Sequence, residues 1–242
     1  MNKLIVANLK MNKNSVEMSE YLEKIVKEEY SNDIVILPSL SNLFLSTVHQ
    51  NEKVSYGVQN FFYKEEGSFT GEINLKMLEY MHVKYALIGH NERRKNFKES
   101  NATINKKVLN ALENNVTPIL CIGESLGQTR NNLYKAHLKR QLSLALRGVK
   151  LADLNKIIIA YEPTFAIGAE NSADLLYVES NVALIKSILK AKSTKVDISP
   201  KILYGGSVSL DNYEAFLNSE FIDGLLIGRS ILNADNLIKI GR

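Results

Sequence analysis

With one cysteine among its 242 residues, the chain can form no internal disulfide, which points to a reducing compartment. Cys121 lies within the apolar run Ile119-Leu120-Cys121-Ile122, with no activating histidine beside it, and reads as a small buried residue rather than a nucleophile. Long apolar runs are also missing. None reaches the length of a membrane span, and Leu4-Ile5-Val6-Ala7 is too short for a signal-peptide core, so a cytoplasmic protein off the membrane is expected. The formal charge is only +4. The densest basic run, Arg93-Arg94-Lys95, follows Glu92 and reads as solvated surface or local ion pairs rather than a nucleic-acid contact. His49, His82 and His137 stand at no spacing from cysteine or carboxylates that suggests a metal site, and no cofactor loop is present. The expectation is therefore chemistry without metal or cofactor. No Pro/Gly/Ser-rich linker interrupts the chain, so residues 1–242 are expected to form one domain.

What is present is a regular alternation. Eight apolar runs recur, at residues 4–9, 34–37, 54–58, 85–88, 118–122, 157–161, 202–204 and 225–227. Continuous apolar runs belong to strands buried on both faces, as in parallel sheets. The segments between them carry helical periodicity: Met18, Tyr21, Leu22, Ile25 and Val26 share one face, as do Ile104, Val108, Ala111 and Leu112. Leu138, Leu142, Ala145 and Leu146 repeat the pattern, and so do Val178, Val182, Ile185 and Leu189. Ser100, Ser209 and Asp174 are expected to cap helices. Short helices are expected over 41–49 and 74–80. A doubly wound sheet would leave two edges and usually needs a glycine-rich turn after the first strand, where this chain has Asn8-Leu9-Lys10-Met11-Asn12. The alternation predicts an α/β fold, a closed single-domain (β/α)8 barrel.

In such a barrel the C-terminal strand ends converge on one mouth, so polar residues there become neighbours. Strand one offers Asn8 and Lys10, which alternate to the same side. Strand four offers His90, strand seven Gly205-Gly206-Ser207, and strand eight Gly228-Arg229. Glu162 ends strand six, because Pro163 holds it extended and cannot continue a ladder. A carboxylate there, under a loop able to close, is a candidate base. Taken singly each residue has a plainer reading: Glu162 as an ion-paired rim carboxylate, Lys10 as a snorkelling lysine, His90 as a structural hydrogen-bonder. Together with two glycine-bearing loops where barrels often bind phosphate, they suggest an active site.

Six motifs in order carry a family resemblance. Ala7-Asn8-Leu9-Lys10-Met11-Asn12, Phe69-Thr70-Gly71-Glu72, Gly89-His90-Asn91-Glu92-Arg93-Arg94, Leu120-Cys121-Ile122-Gly123-Glu124, Ala160-Tyr161-Glu162-Pro163 with Ala166-Ile167-Gly168, and Tyr204-Gly205-Gly206-Ser207-Val208 resemble the triosephosphate isomerase family. The resemblance implies interconversion of dihydroxyacetone phosphate and glyceraldehyde 3-phosphate in glycolysis and gluconeogenesis. By motif position Glu162 is the base, neutral His90 the electrophile, Lys10 the positive charge and Asn8 a substrate holder. Backbone N–H groups of Gly168, Ser207, Gly228 and Arg229 would cradle the phosphate. The pairing of a glutamate base with a neutral histidine is carried over from the family rather than read from these residues. The resemblance also implies a homodimer, with Thr70 reaching toward the partner's Asn8 and His90; without that partner, Phe69 would be an exposed aromatic.

The chain departs from the family pattern at five places. Leu9 replaces a tryptophan, and altered rim packing is expected. Asn91 replaces a serine associated with holding the base while the lid is open. Thr164-Phe165 replaces Val-Trp and Asn171-Ser172-Ala173 replaces Lys-Thr-Ala at the two lid hinges. Arg229 replaces a glycine, where a side chain is awkward if φ is positive. Two other functions share the barrel: a Schiff-base lyase or aldolase with Lys10 as nucleophile, and a non-catalytic phosphometabolite-binding barrel.

Overall fold

The computed structural model describes residues 2–169 and 172–242. Eight strands pair in parallel and in chain order: β1 (Leu4–Asn8), β2 (Asp33–Leu37), β3 (Val54–Val58), β4 (Val83–Ile88), β5 (Thr117–Ile122), β6 (Ile158–Tyr161), β7 (Ile202–Tyr204) and β8 (Gly224–Ile227). The ring is closed by β1 against β8, with Leu4 beside Gly224 and Ala7 beside Ile227. The expected (β/α)8 barrel is what forms.

Strand alternation produces two apolar layers. Leu4, Val6, Val35, Leu37, Leu87, Ile119, Cys121, Ile158, Ala160, Leu203 and Leu226 pack with one another inside the ring. The residues between them, such as Ile5, Ala7, Ile34, Ile36, Leu120, Ile159 and Leu225, face the helices. This is why the strands read as unbroken apolar runs: neither face meets water. Cys121 belongs to the inner layer and is 1% exposed, and burial pushes its thiol up, so it behaves as the small buried residue expected.

The helices follow the sequence periodicity. The first, α1 (Ser15–Val26), buries Met18, Tyr21, Leu22 and Ile25 and starts with a capping box of Asn14 and Glu17. Next come α2 (Asn91–Asn96) and α3 (Asn101–Glu113), the latter capped by Ser100 as expected. They are followed by α4 (Leu126–Arg130), α5 (Tyr134–Ala145), α6 (Leu175–Lys190), α7 (Tyr213–Leu217) and α8 (Ala234–Gly241). Asp174 caps α6 by accepting from the Tyr177 N–H at 3.0 Å. Ser209 does not cap α7. Its hydroxyl accepts from the Asp211 N–H within a turn, and the helix begins only at Tyr213. The short segments after β2 and β3 are 3₁₀ helices, Leu40–Thr47 and Lys76–Met81.

At the mouth, the ladder of β6 stops at Tyr161, one residue before the end expected from sequence. Glu162 still donates its N–H to the Ile122 carbonyl at 2.8 Å, so its backbone stays attached to the barrel. Leu9 is fully buried in the layer facing the helices, not on the rim, because its alternation follows Ile5 and Ala7.

The β3–β4 seam carries a register shift at Gly57, where a Cβ would lie 2.5 Å from the Tyr85 carbonyl. Gly57→Ala is therefore expected to cost about 1–3 kcal/mol through overpacking. At roughly 2–4 °C per kcal/mol for a chain of this size, the melt followed by circular dichroism falls by several degrees. An unchanged melting temperature would mean that the seam relaxes freely.

Candidate active site

Each polar residue at the mouth is placed by a specific local constraint. Asn8 ends β1 inside the ring, and its side-chain oxygen accepts from the Lys10 N–H at 3.1 Å. Lys10 adopts a left-handed backbone, φ 53°, so it enters the mouth by a turn rather than by strand alternation as read from sequence. Such a backbone is strained for a residue with a side chain, and strain of this kind gathers at functional sites. Gln59, just past β3, holds the turn by donating to the carbonyls of Lys10 and Leu37, both at 2.9 Å. Sequence reasoning missed Gln59; its place directly after a buried strand was the available signal.

His90 follows β4 and forms the N-cap of α2. Its Nδ1 accepts from the Glu92 N–H at 3.3 Å, which leaves Nε2 facing the mouth. Glu162 shares the alternation of Ile158 and Ala160 and so points inward from β6. It is 4% exposed. One oxygen lies 3.3 Å from His90 Nε2, and the other has no hydrogen-bond partner among the described residues. The side chain rests on Gly205, where a Cβ would come within 2.8 Å of its Cγ. Glu92, quoted in a motif but given no role, proves central: one oxygen meets Lys10 Nζ at 2.5 Å and the other lies 3.7 Å from His90 Nδ1. The Lys10 stem in turn packs over Gly228. A contiguous chain of contacts thus runs from Gly205 through Glu162, His90, Glu92 and Lys10 to Gly228.

In the basic run beside this site only Arg94 departs from the expected solvated surface or local ion pairs. Arg94 donates to the carbonyls of Gly89 (2.6 Å) and Cys121 (2.9 Å) and to the Asn101 side chain (2.7 Å), bracing the strand-four loop against β5. Arg93 lies 3.6 Å from Glu99, and Lys95 is exposed.

Loop six is fastened at both ends. Thr164 donates its N–H and hydroxyl to the Glu124 carbonyl, at 2.8 and 3.1 Å. The buried Glu124 carboxylate accepts from Tyr161 and Tyr177, and Phe165 meets the Tyr177 ring edge-on at 5.9 Å between centroids. At the far end the Ala173 N–H donates to the Tyr204 hydroxyl at 3.0 Å, and Ser207 Oγ donates to the Ala169 carbonyl at 2.8 Å. Burial pushes the Tyr204 phenol up to about 12, so it remains an O–H group. Asn171, one of the departing hinge positions, lies outside the described residues. Asn91 makes no hydrogen bond to Glu162 among the described residues. Arg229 has no positive φ; it opens a 3₁₀ turn, Arg229–Leu232, so its side chain imposes no backbone strain. Phe69 is not exposed as expected. It packs 4.7 Å from the Phe62 ring, with Lys64 above its face.

Among the described residues no group of three His, Cys, Asp or Glu is placed to hold a metal ion. The arrangement offers instead a buried carboxylate, an imidazole and an ammonium facing one space, flanked by two glycine-bearing loops.

The family model of triosephosphate isomerase matches residues 3–242. The chain belongs to this family. Among its relatives, the triosephosphate isomerase of Finegoldia magna is 36% identical over 98% of this chain and 96% of that protein. That of Francisella tularensis subsp. mediasiatica is 38% identical over 97% and 94%. That of Aquifex aeolicus is 37% identical over 99% and 98%. Membership accounts for the order of the motifs around the mouth.

Electrostatics at His90 oppose one sequence expectation. Burial lowers the imidazole pKa, but the Glu162 carboxylate against Nε2, helped by Glu92, outweighs it, and the net direction is upward. The Glu92 N–H at Nδ1 works the other way, since it needs the lone pair that protonation removes. The upward push on the ring therefore weakens once Glu162 leaves Nε2. In the sense of linkage, the pair stabilises the fold below the ordinary imidazole pKa of 6.5, and that contribution is lost as pH rises through the folded-state value. Glu162→Gln should lower the His90 pKa, read by NMR titration of the ring. An unshifted titration would assign the upward direction to another group.

Proposed function

We propose that this chain is an aldose-ketose isomerase interconverting dihydroxyacetone phosphate and D-glyceraldehyde 3-phosphate, a step of glycolysis and gluconeogenesis. The single observation that supports this best, given the family, is the Glu162 carboxylate, buried against His90 with one oxygen unpartnered. Moving a proton between adjacent carbons needs a base at carbon and groups that stabilise the charge arising on oxygen. Glu162 is the base in this reading. His90 is the electrophile: with the substrate's oxygen at Nε2 in place of the carboxylate, the Glu92 N–H favours the neutral ring that shuttles protons between the two oxygens. Lys10 and Asn8 hold the substrate, and Lys10 adds positive charge beside the developing enediolate. The backbone N–H groups of Gly168, Ser207, Gly228 and Arg229 receive the phosphate, whose binding energy closes residues 163–173 and expels water. The lyase reading is weaker, because Lys10 is ion-paired with Glu92 rather than standing as a free amine.

Assembly as a homodimer belongs to the same proposal. Met11 is 95% exposed, and Phe44, Val48, Met77 and Tyr80 are exposed on neighbouring elements. A cavity of about 240 Å³ beside Lys10, lined by Met11, Leu40, Leu43 and Gln59 among others, fits the exposed Thr70 loop of a second copy. Residence in the cytoplasm is in keeping with the single buried free thiol. Among the described residues no helix is long and apolar enough to cross a membrane.

Glu162→Asp withdraws the base by one methylene and is expected to cut turnover by about 100-fold or more with KM nearly unchanged. A coupled isomerase assay measures both; equal turnover in mutant and wild type removes Glu162 from the mechanism. Sedimentation should give twice the chain mass of 27.2 kDa, and shortening the loop around Thr70 should give a monomer. A monomeric wild type would end the dimer proposal.

A further inference from the structure

Arg229 stands where the family pattern has glycine, and its side chain is the part of the site that neither the strand-end logic nor the proposed roles use. It begins the turn after β8 with an ordinary backbone, and its side chain is exposed at the mouth. The guanidinium reaches across to loop six, where Nη2 donates to the Gly168 carbonyl at 3.4 Å. A Cβ built on Gly168 would lie 3.5 Å from the same nitrogen. The charge therefore sits against Gly168 of loop six, one of the residues whose backbone N–H is assigned above to the phosphate.

The charge balance of the mouth gives this placement its meaning. Two carboxylates, Glu92 and Glu162, line the site. Lys10 is committed to Glu92 at 2.5 Å, and Arg94 is turned away into backbone and side-chain hydrogen bonds with Gly89, Cys121 and Asn101. The two carboxylates are thus offset by cations already engaged with protein groups, and a phosphate dianion arriving at this mouth would find in Arg229 a cation not so engaged. Among the described residues no carboxylate forms an ion pair with it. A guanidinium has five N–H donors in a planar fork, and the Gly168 carbonyl occupies one.

We propose that the Arg229 side chain is a further ligand of the substrate's phosphate, bridging it to the Gly168 carbonyl of loop six and setting the affinity for phosphorylated trioses. The inference rests on the isomerase reading of this site. It extends that reading from backbone N–H groups to a side chain. Charge-assisted contacts of a guanidinium with phosphate are among the stronger hydrogen bonds, and a lysine keeps the charge without the fork.

The test uses Arg229→Gln and Arg229→Lys, both of which keep the backbone N–H. In the coupled assay Arg229→Gln should raise KM about 10-fold, with a smaller change in kcat. The fall of kcat/KM with added salt should become shallower, because one cationic contact is lost. Arg229→Lys should restore the salt dependence and part of the KM. Calorimetry with inorganic phosphate supplies a readout that does not need turnover: its affinity should fall by a similar factor in Arg229→Gln. Unchanged KM, salt dependence and phosphate affinity would overturn the proposal, as would a fall in kcat alone, which would make Arg229 a lid contact only. Wild-type protein that binds phosphate through Arg229 yet fails to isomerise trioses would count against the isomerase reading and not against this contact.

Discussion

Hydrogen bonding between β1 and β8 converts a row of parallel strands into a ring, and every residue of the candidate site takes its position from that ring. In an open sheet, Lys10 after the first strand and Glu162 after the sixth would be separated by the width of the intervening strands. Closure gathers all the C-terminal strand ends around one mouth. It also forces an inner apolar layer, from Leu4 and Val6 to Leu226, which fills the space below the mouth and leaves Glu162 little water. Burial of that layer is the main stabilising term in a fold of this kind.

Within the mouth, charge is organised as a chain rather than as separate groups. Glu162 meets one face of the His90 ring system at Nε2, and Glu92 reaches the other side at Nδ1 while also holding Lys10. A change at Glu162, Glu92 or Lys10 alters the field at His90, so single substitutions here will not add independently. The unpartnered oxygen of Glu162 is the place where the chain has no further protein group to satisfy it. The two ends of loop six are tied to their neighbours through contacts that use the loop's backbone more than its side chains. Thr164 sits on the Glu124 carbonyl, Ala173 on the Tyr204 hydroxyl, and the Ala169 carbonyl accepts from Ser207. The exchange of tryptophan for Phe165 fits this scheme, since Phe165 packs edge-on against Tyr177, which also holds Glu124.

Much of this was legible before any coordinates. Apolar runs and helical faces are local patterns, and burial of Val178, Val182, Ile185 and Leu189 on α6 follows the predicted face. Caps at Ser100 and Asp174 were legible for the same reason, because a cap is decided within four residues. Ser209 failed because its hydroxyl had a competing partner in the next turn. Gln59 was missed because its place after a buried strand does not reveal its partner, the carbonyl of Lys10, a residue far away in sequence. Arg94 was misread because a run of three basic residues looks alike whether solvated or folded back onto carbonyls.

Composition and pattern alone determined the closed α/β barrel, the buried place of Cys121 and the set of residues at strand ends, since each depends on short-range periodicity or residue counts. Tertiary structure alone decided which groups touch. Glu92 linking Lys10 to His90, the left-handed turn at Lys10 and the reach of Arg229 to Gly168 all join positions separated by tens of residues. Hydrogen bonds and contact ion pairs form only within a few ångströms, and separation along the chain carries no information about that distance until the ring is closed.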